Sequence, residues 1–421
     1  MRIAWTKPLF AWDCLDDHPT LKTLAAFLAS VPDGKLLEAL RRHRGRGRDD
    51  HPVHQLWGVV LLRVVLRHTS FAATLGELRR NEGLRRLLGI ETEEDVPDEW
   101  NVSRFLVVLG TEPYLTMVHE IFNTMVRRLA EAVPDLGRHL AGDSTGLSAR
   151  PGRAKKDNPD GLPEPAGGRK EYTDEEGKVV KVIEWFGYKL HLLADTRHEV
   201  AVAYKVGSTK EGDNEALAEH GIRPVIEVRA LWKDEKERML PGHDGTSNVV
   251  YDEAGTVYCY DKTQDPPVRH RMAYIGHEPA RGTVKYRCPA RHGDWRCPSD
   301  ARCNAGKSYG KTVRIRCEED LRRFPAIPRA TKQFERLYRG RTAVERVNGR
   351  LKVFWGADDG NLTGARRFHA QVGVVMIVHV GLATVLASAP RREGTLDPQS
   401  ATCTHFACML GQAKLRLGTP Y

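Results

Sequence analysis

The run YRGRTAVERVNGRLK at residues 338–352 decides how this chain is read. Within it Tyr338, Arg341, Glu345 and Lys352 stand 3, 4 and 7 residues apart, and Asn348 divides the last gap. At about 100° of helical turn per residue, these positions fall within an arc of roughly 80°. One helical face then carries a phenol, a guanidinium, a carboxylate, an amide and an ammonium. Such a face suits a phosphodiester and a divalent cation better than an apolar core. Val344, Val347, Leu351 and Phe354 form a second stripe that can seat the helix against a sheet. Taken alone, the polar face also fits a solvated helix laced with i,i+4 ion pairs, Arg341 and Glu345 among them. Arg336, Arg339, Arg346 and Arg350 add positive charge and favour the phosphate reading.

The same spacing resembles the signature around the last catalytic acid of DDE transposases of bacterial insertion sequences, with all four positions at matching gaps. The resemblance implies a ribonuclease H-like core; with the helical N-terminal periodicity and a Cys-rich insertion read from the residues, the expected fold class is α/β with an all-α N-terminal domain. The resemblance also implies two metal ions and strand transfer at transposon ends. By this match Glu345 is the third acidic ligand, Arg341 and Lys352 hold DNA phosphates, and Tyr338 lies close to the DNA, with Asn348 on the same face. His139 to Leu147 reads HLAGDSTGL, a short strand around one acid, and its Gly-Asp-Ser-Thr-Gly resembles the strand of the first acid. Asp143 is therefore the expected partner of Glu345. A carboxylate in mid-strand must be paired or bound to metal. Oxygen ligands with open positions suit Mg²⁺ or Mn²⁺, and two such ions about 3.5–4 Å apart activate the attacking oxygen and stabilise the leaving one.

The second acid departs from the family pattern. Val206 is followed by Gly-Ser-Thr-Lys-Glu-Gly-Asp-Asn-Glu, and Ala216 to His220 then leads straight into the expected strand Gly221–Val228. The helix and strand that carry the second acid in the resembled family are missing from this stretch, as after an internal deletion. Three readings stay open, in this order: the site is incomplete, Asp213 substitutes from a loop, or Asp195 substitutes from a turn.

Lys and Arg number 65 against 55 Asp and Glu, a net charge of +10, which fits a polyanionic partner. No secretory signal opens the chain, so a cytoplasmic location is expected. Eight cysteines spread over 421 residues do not make a secreted disulfide scaffold. Cys259, Cys288, Cys297 and Cys303 are a candidate set for a structural Zn²⁺ site, against free thiols as the plainer reading. Arg269, His270, Arg271, Arg281, Lys285 and Arg287, interleaved with Tyr274, Tyr286 and Trp295, can grip a DNA backbone or form a solvated patch. Val372 to Ala387 is almost wholly apolar but shorter than the roughly 20 residues that span a bilayer. It reads as a buried helix over the sheet, and no membrane partner is expected.

These readings divide the chain into a helical DNA-binding domain (1–135), a first part of the core (136–228), a Cys-rich insertion (229–317), the signature and closing helices (318–390) and a tail (391–421). Residues 150–180 read as a loop; Val182–Ala194 and Val200–Val206 read as strands around a turn at Asp195. The expected function is metal-dependent cleavage and strand transfer at terminal inverted repeats, by a homodimer or higher oligomer on DNA. The alternatives are a catalytically dead DNA-binding derivative and a metal-dependent nuclease.

Overall fold

The computed structural model describes residues 20–46, 50–150, 161–174, 178–209, 232, 237–240, 247–293, 295–320, 323–359 and 362–388. Asp213, the expected strand Gly221–Val228 and the cysteines of the tail lie outside the described residues.

Helices come first: α1 (Leu21–Ser30), α2 (Gly34–Arg44), α3 (Val53–Val65), α4 (Phe71–Arg80), α5 (Glu82–Leu87), α6 (Glu99–Leu109) and α7 (Tyr114–Ala132). Their starts follow local chemistry. Thr20, Ser70 and Asn81 each accept a hydrogen bond from the backbone N–H three residues on, which satisfies a donor the helix leaves unpaired. In α7, Val118, Ile121, Phe122, Met125 and Leu129 recur at helical spacing and are buried.

The sheet that follows is antiparallel. β3 (Val179–Asp195) is its axis, flanked along its second half by β1 (Leu140–Ser148) and β4 (Val200–Gly207) on opposite edges. Leu192 marks the register, opposite Asp143 on one side and Tyr204 on the other. β2 (Ala166–Thr173) continues the β4 edge along the first half of β3. At Gly187 β3 passes from one pairing to the other; a Cβ there would lie 1.9 Å from the Leu147 carbonyl oxygen, so glycine is required by close approach.

β2 corrects the expectation of a loop over 150–180. The segment has few apolar residues because the ribbon it forms with β3 is wet on both faces. Val180 is 63% exposed, and Arg169 pairs with Glu171 and Glu184 on its surface.

The helices and the sheet share one core. α3 is buried along nearly its whole length. The closing helix α10 (Ala365–Ser388, numbered after α8 and α9, described below) is buried from Phe368 to Ala383. It packs against α1, α3, α6 and α7 on one side and β4 on the other. It begins seven residues before the expected Val372, and its apolar surface is explained by burial all round rather than by a bilayer. Tyr188 of β3 stacks on Phe368 at 4.2 Å, and Phe122 of α7 meets Tyr204 of β4 edge-on at 4.9 Å. The helical stretch up to residue 135 and the sheet are therefore continuous in packing. Each buried Leu, Val or Phe here contributes about 1.5–3 kcal/mol.

A second core lies between residues 240 and 324. One sheet runs β5 (Glu237–Met239), β6 (Val249–Asp252), β7 (Val257–Asp261) and β8 (Val268–Arg271), in that order. The other places β10 (Thr283–Arg287) between β9 (Ala273–Glu278) and β11 (Thr312–Arg316). Val249, Val257, Val284, Tyr286, Ile315 and Phe324 fill the space among them.

Candidate functional site

The signature run is helical but not uniform. α8 (Lys332–Tyr338) begins under a Thr331 cap, a 3₁₀ turn spans Arg339–Arg341, α9 covers Thr342–Gly349 and a π-helical turn closes it at Arg350–Phe354. The constant 100° step therefore fails at both ends. In the last turn Trp355 N–H reaches back five residues to the Arg350 carbonyl at 3.0 Å. Val353 is thrown outward, 88% exposed. Asn348 is 6% exposed, so it lies on the packed side rather than with the charged face.

α9 packs across β1 and β3 through Val344 and Val347. That seating brings the signature to the strand that carries Asp143. Arg341 approaches Asp143 at 3.7 Å, and its other terminal nitrogen donates to the Tyr338 hydroxyl at 3.0 Å. The Tyr338 hydrogen bond and then the negative charges of Asp143 and Glu345 raise the guanidinium's pKa. Glu345, one turn beyond Arg341, is exposed. Asp143 is partly covered, its side chain 22% accessible. Arg341 thus approaches Asp143 and lies in the field of Glu345, whose side chain is open to solvent.

Lys352 anchors the far end. Its Nζ donates to the Gly146 carbonyl of β1 at 2.8 Å and pairs with Asp358 at 3.0 Å. Asp358 also accepts from the Ser148 N–H. Beside it, Asp359 pairs at 3.3 Å with Arg63 of α3, whose guanidinium is 3% exposed. Gly146 is matched to Trp185: a Cβ at residue 146 would lie 2.5 Å from the indole. Asp358 and Asp359 had no visible role in the sequence; only the fold brings them to β1 and α3.

Two of the arginines that made the run look basic are engaged by one buried carboxylate, Arg350 largely covered and Arg346 half-exposed. Glu199, in the β3–β4 turn at φ +54, accepts from Arg346 Nε at 2.6 Å and Arg350 at 2.9 Å. Arg350 also donates to the Glu199 carbonyl at 3.0 Å. Burial lowers the pKa of Arg350 while Glu199 acts the other way. Arg339 pairs with Glu335 one turn back. Less of the helix's positive charge is therefore free for phosphate than its composition implies.

Asp195 is 1% exposed, not solvent-facing. Its carboxylate accepts from the N–H groups of Gly137, Arg197 and His198 at 2.8–2.9 Å and so builds the turn. Cys259, Cys288, Cys297 and Cys303 line one cavity, and all are free thiols. Among the described residues, no three His, Cys, Asp or Glu side chains are gathered into a ready metal site. In the basic patch, Arg269 is paired with Glu237, Tyr286 is buried, and Arg287 lies 4.0 Å over the Tyr309 ring.

Comparison with known proteins bears on the helices rather than on this cluster. No curated protein and no solved structure matches the chain. Residues 13–107, a stretch running from before α1 into α6, match the family described as Transposase domain (DUF772). Through those residues the chain is similar to transposases, which supports a transposase-related function with DNA as the partner.

Proposed function

We propose that this protein is a transposase acting at insertion-sequence ends by metal-dependent DNA cleavage and strand transfer, on a ribonuclease H-like sheet. The observation that carries the reading is the reach of Arg341 to Asp143, with Glu345 one turn further along the same helix. Arg341 and Asp143, about two hundred positions apart in sequence, meet at the middle of β1, which supports a shared site. The antiparallel order β4–β3–β1 is what the first three strands of such a sheet would give, with Asp143 on β1, an edge strand among the described residues.

The chemistry assigned to the chain's own groups is simple. Asp143 and Glu345 offer carboxylate oxygens at a solvent-open position, a donor set that fits a hard divalent cation. Mg²⁺ or Mn²⁺ held there would acidify a water or a DNA 3′-hydroxyl and stabilise the departing oxygen. In its absence Arg341 neutralises Asp143; with DNA bound, the same guanidinium is free to hold a phosphate through its planar fork. Lys352, braced by Asp358, stands on β1 as a second phosphate contact. The buried clamp on Glu199 fixes the helix so that Asp143 and Glu345 keep their spacing. Asp213 is the proposed second acid, since the Asp195 carboxylate is already engaged by three N–H donors.

A second reading is a DNA-binding derivative without chemistry, favoured by the short passage from Val206 to Ala216. A strand-transfer assay with Mn²⁺ and labelled terminal-repeat DNA separates the two. Joined product that vanishes in Glu345→Ala supports the transposase; bound but uncut DNA supports the derivative; cutting without joining would instead identify a nuclease.

A further inference from the structure

We infer that Cys259, Cys288, Cys297 and Cys303 bind one structural Zn²⁺ in a closed four-thiolate site that ties the two sheets of the second core together. Cys259 lies on β7, Cys288 directly follows β10, Cys297 lies in the loop beyond, and Cys303 ends a short helical turn at Asp300–Cys303. All of them line one cavity of about 30 Å³. That is room for a single small occupant.

The surroundings suit thiolates. Asn304, 3% exposed, points its amide N–H at Cys288 Sγ at 3.6 Å, and Asn248 points its own at Cys303 Sγ at 3.8 Å. Lys311 joins the two amides: its N–H donates to Asn304 Oδ1 at 2.6 Å and its ammonium to Asn248 Oδ1 at 2.8 Å. Donors to sulfur and a nearby cation stabilise negative sulfur, as outer partners do at metal sites. Asp261, 1% exposed, receives the Ser299 hydroxyl at 2.6 Å and so pins the Cys297 loop to the end of β7.

Without an ion, burial and then the neighbouring thiols push the Cys259 thiol up to about 12. Loading Zn²⁺ releases one proton from each of the four thiols and leaves a site of net charge −2, partly balanced by Lys311. The thiols must draw inward to close on the ion, since they do not yet stand as a ligand set. Four protein ligands leave no open position, so the metal's role is structural.

Metal analysis of the purified full chain tests this. The expected content is about one zinc per chain. Cys259→Ser and Cys303→Ser should each lower it at least tenfold, while Cys317→Ser, in the same core but off the cavity, leaves it unchanged. Because the serine variants can misfold, the unmutated chain grown with Co²⁺ supplies a second readout: intense thiolate-to-cobalt absorption with tetrahedral visible bands. A chain without bound metal whose four cavity thiols all react with a thiol reagent would overturn the proposal. So would zinc that persists in Cys259→Ser/Cys303→Ser, or cobalt bands of a six-coordinate oxygen site.

Discussion

The guanidinium of Arg341 stands 3.7 Å from the carboxylate of Asp143, across the gap between the signature helix and the first strand of the sheet. Arg341 also lies in the field of Glu345. One cationic side chain thus stands beside Asp143 in the field of Glu345, and at 44% accessibility it is exposed enough to turn to a phosphate. Replacing it should weaken DNA binding without unfolding the protein. Arg341→Ala is expected to raise the Kd for duplex ends about tenfold and to flatten the salt dependence by about one phosphate contact. Arg341→Lys should restore the salt slope but not the full affinity, because the fork is lost. Unchanged salt titrations in Arg341→Ala would remove this residue from the interface.

Glu199 is the strongest predicted stability site. Its side chain is 6% exposed between Arg350 at 14% and Arg346 at 51%. Glu199→Gln leaves Arg350 buried without its counter-charge and should cost about 3–5 kcal/mol in urea unfolding. Arg346→Ala removes a half-exposed partner and should cost about 1 kcal/mol or less. Equal losses for the two variants would mean that the clamp is not buried in solution.

Stability should fall as pH drops below neutral. His379 is fully buried and accepts the Ala201 N–H at 3.2 Å, and burial holds its pKa well below the usual value. Burial lowers His369 to about 4. Both stay neutral in the native state while the unfolded chain takes up protons. Their stabilisation is complete above pH ~6.5 and declines below it, each at up to about 1.4 kcal/mol per pH unit. Native-state unfolding free energies between pH 7 and pH 5 should slope accordingly, and His379→Gln should flatten the curve. A pH-independent stability over that range would contradict the burial of both rings.

Gly146 should tolerate no side chain while Trp185 is present. Gly146→Val drives a Cβ into the indole and should destabilise by about 1–3 kcal/mol. The same change in a Trp185→Ala background should cost clearly less, a coupling that a double-mutant cycle measures. Additive losses would mean that the two do not touch.

Much of this arrangement was legible in the sequence, and its gaps have physical causes. β3 and β4 follow from apolar runs, and α10 from its unbroken hydrophobicity. β2 was hidden because a ribbon wet on both faces needs no apolar pattern. Asn348 fell on the charged face only under a uniform helix; the observed 3₁₀ and π-helical turns break that assumption. The role of Arg346 was hidden because its partner Glu199 is 147 residues away in sequence, in a turn with no distinctive pattern. The nearness of the four cysteines in sequence suggested a common site, but which elements would present them came only from the fold. Asp213 remains a reading of the sequence, since it lies outside the described residues.

The central claim is that Asp143 and Glu345 share a divalent cation. Fe²⁺ substituted for Mg²⁺, with ascorbate and peroxide, cuts the backbone beside the ion it replaces, and the cut positions can be mapped in the full chain. Cuts close to residue 143 and close to residue 345, both abolished together in Asp143→Asn, are the predicted result. Cutting beside only one of the two, or cutting near residue 345 that survives Asp143→Asn, would contradict the account.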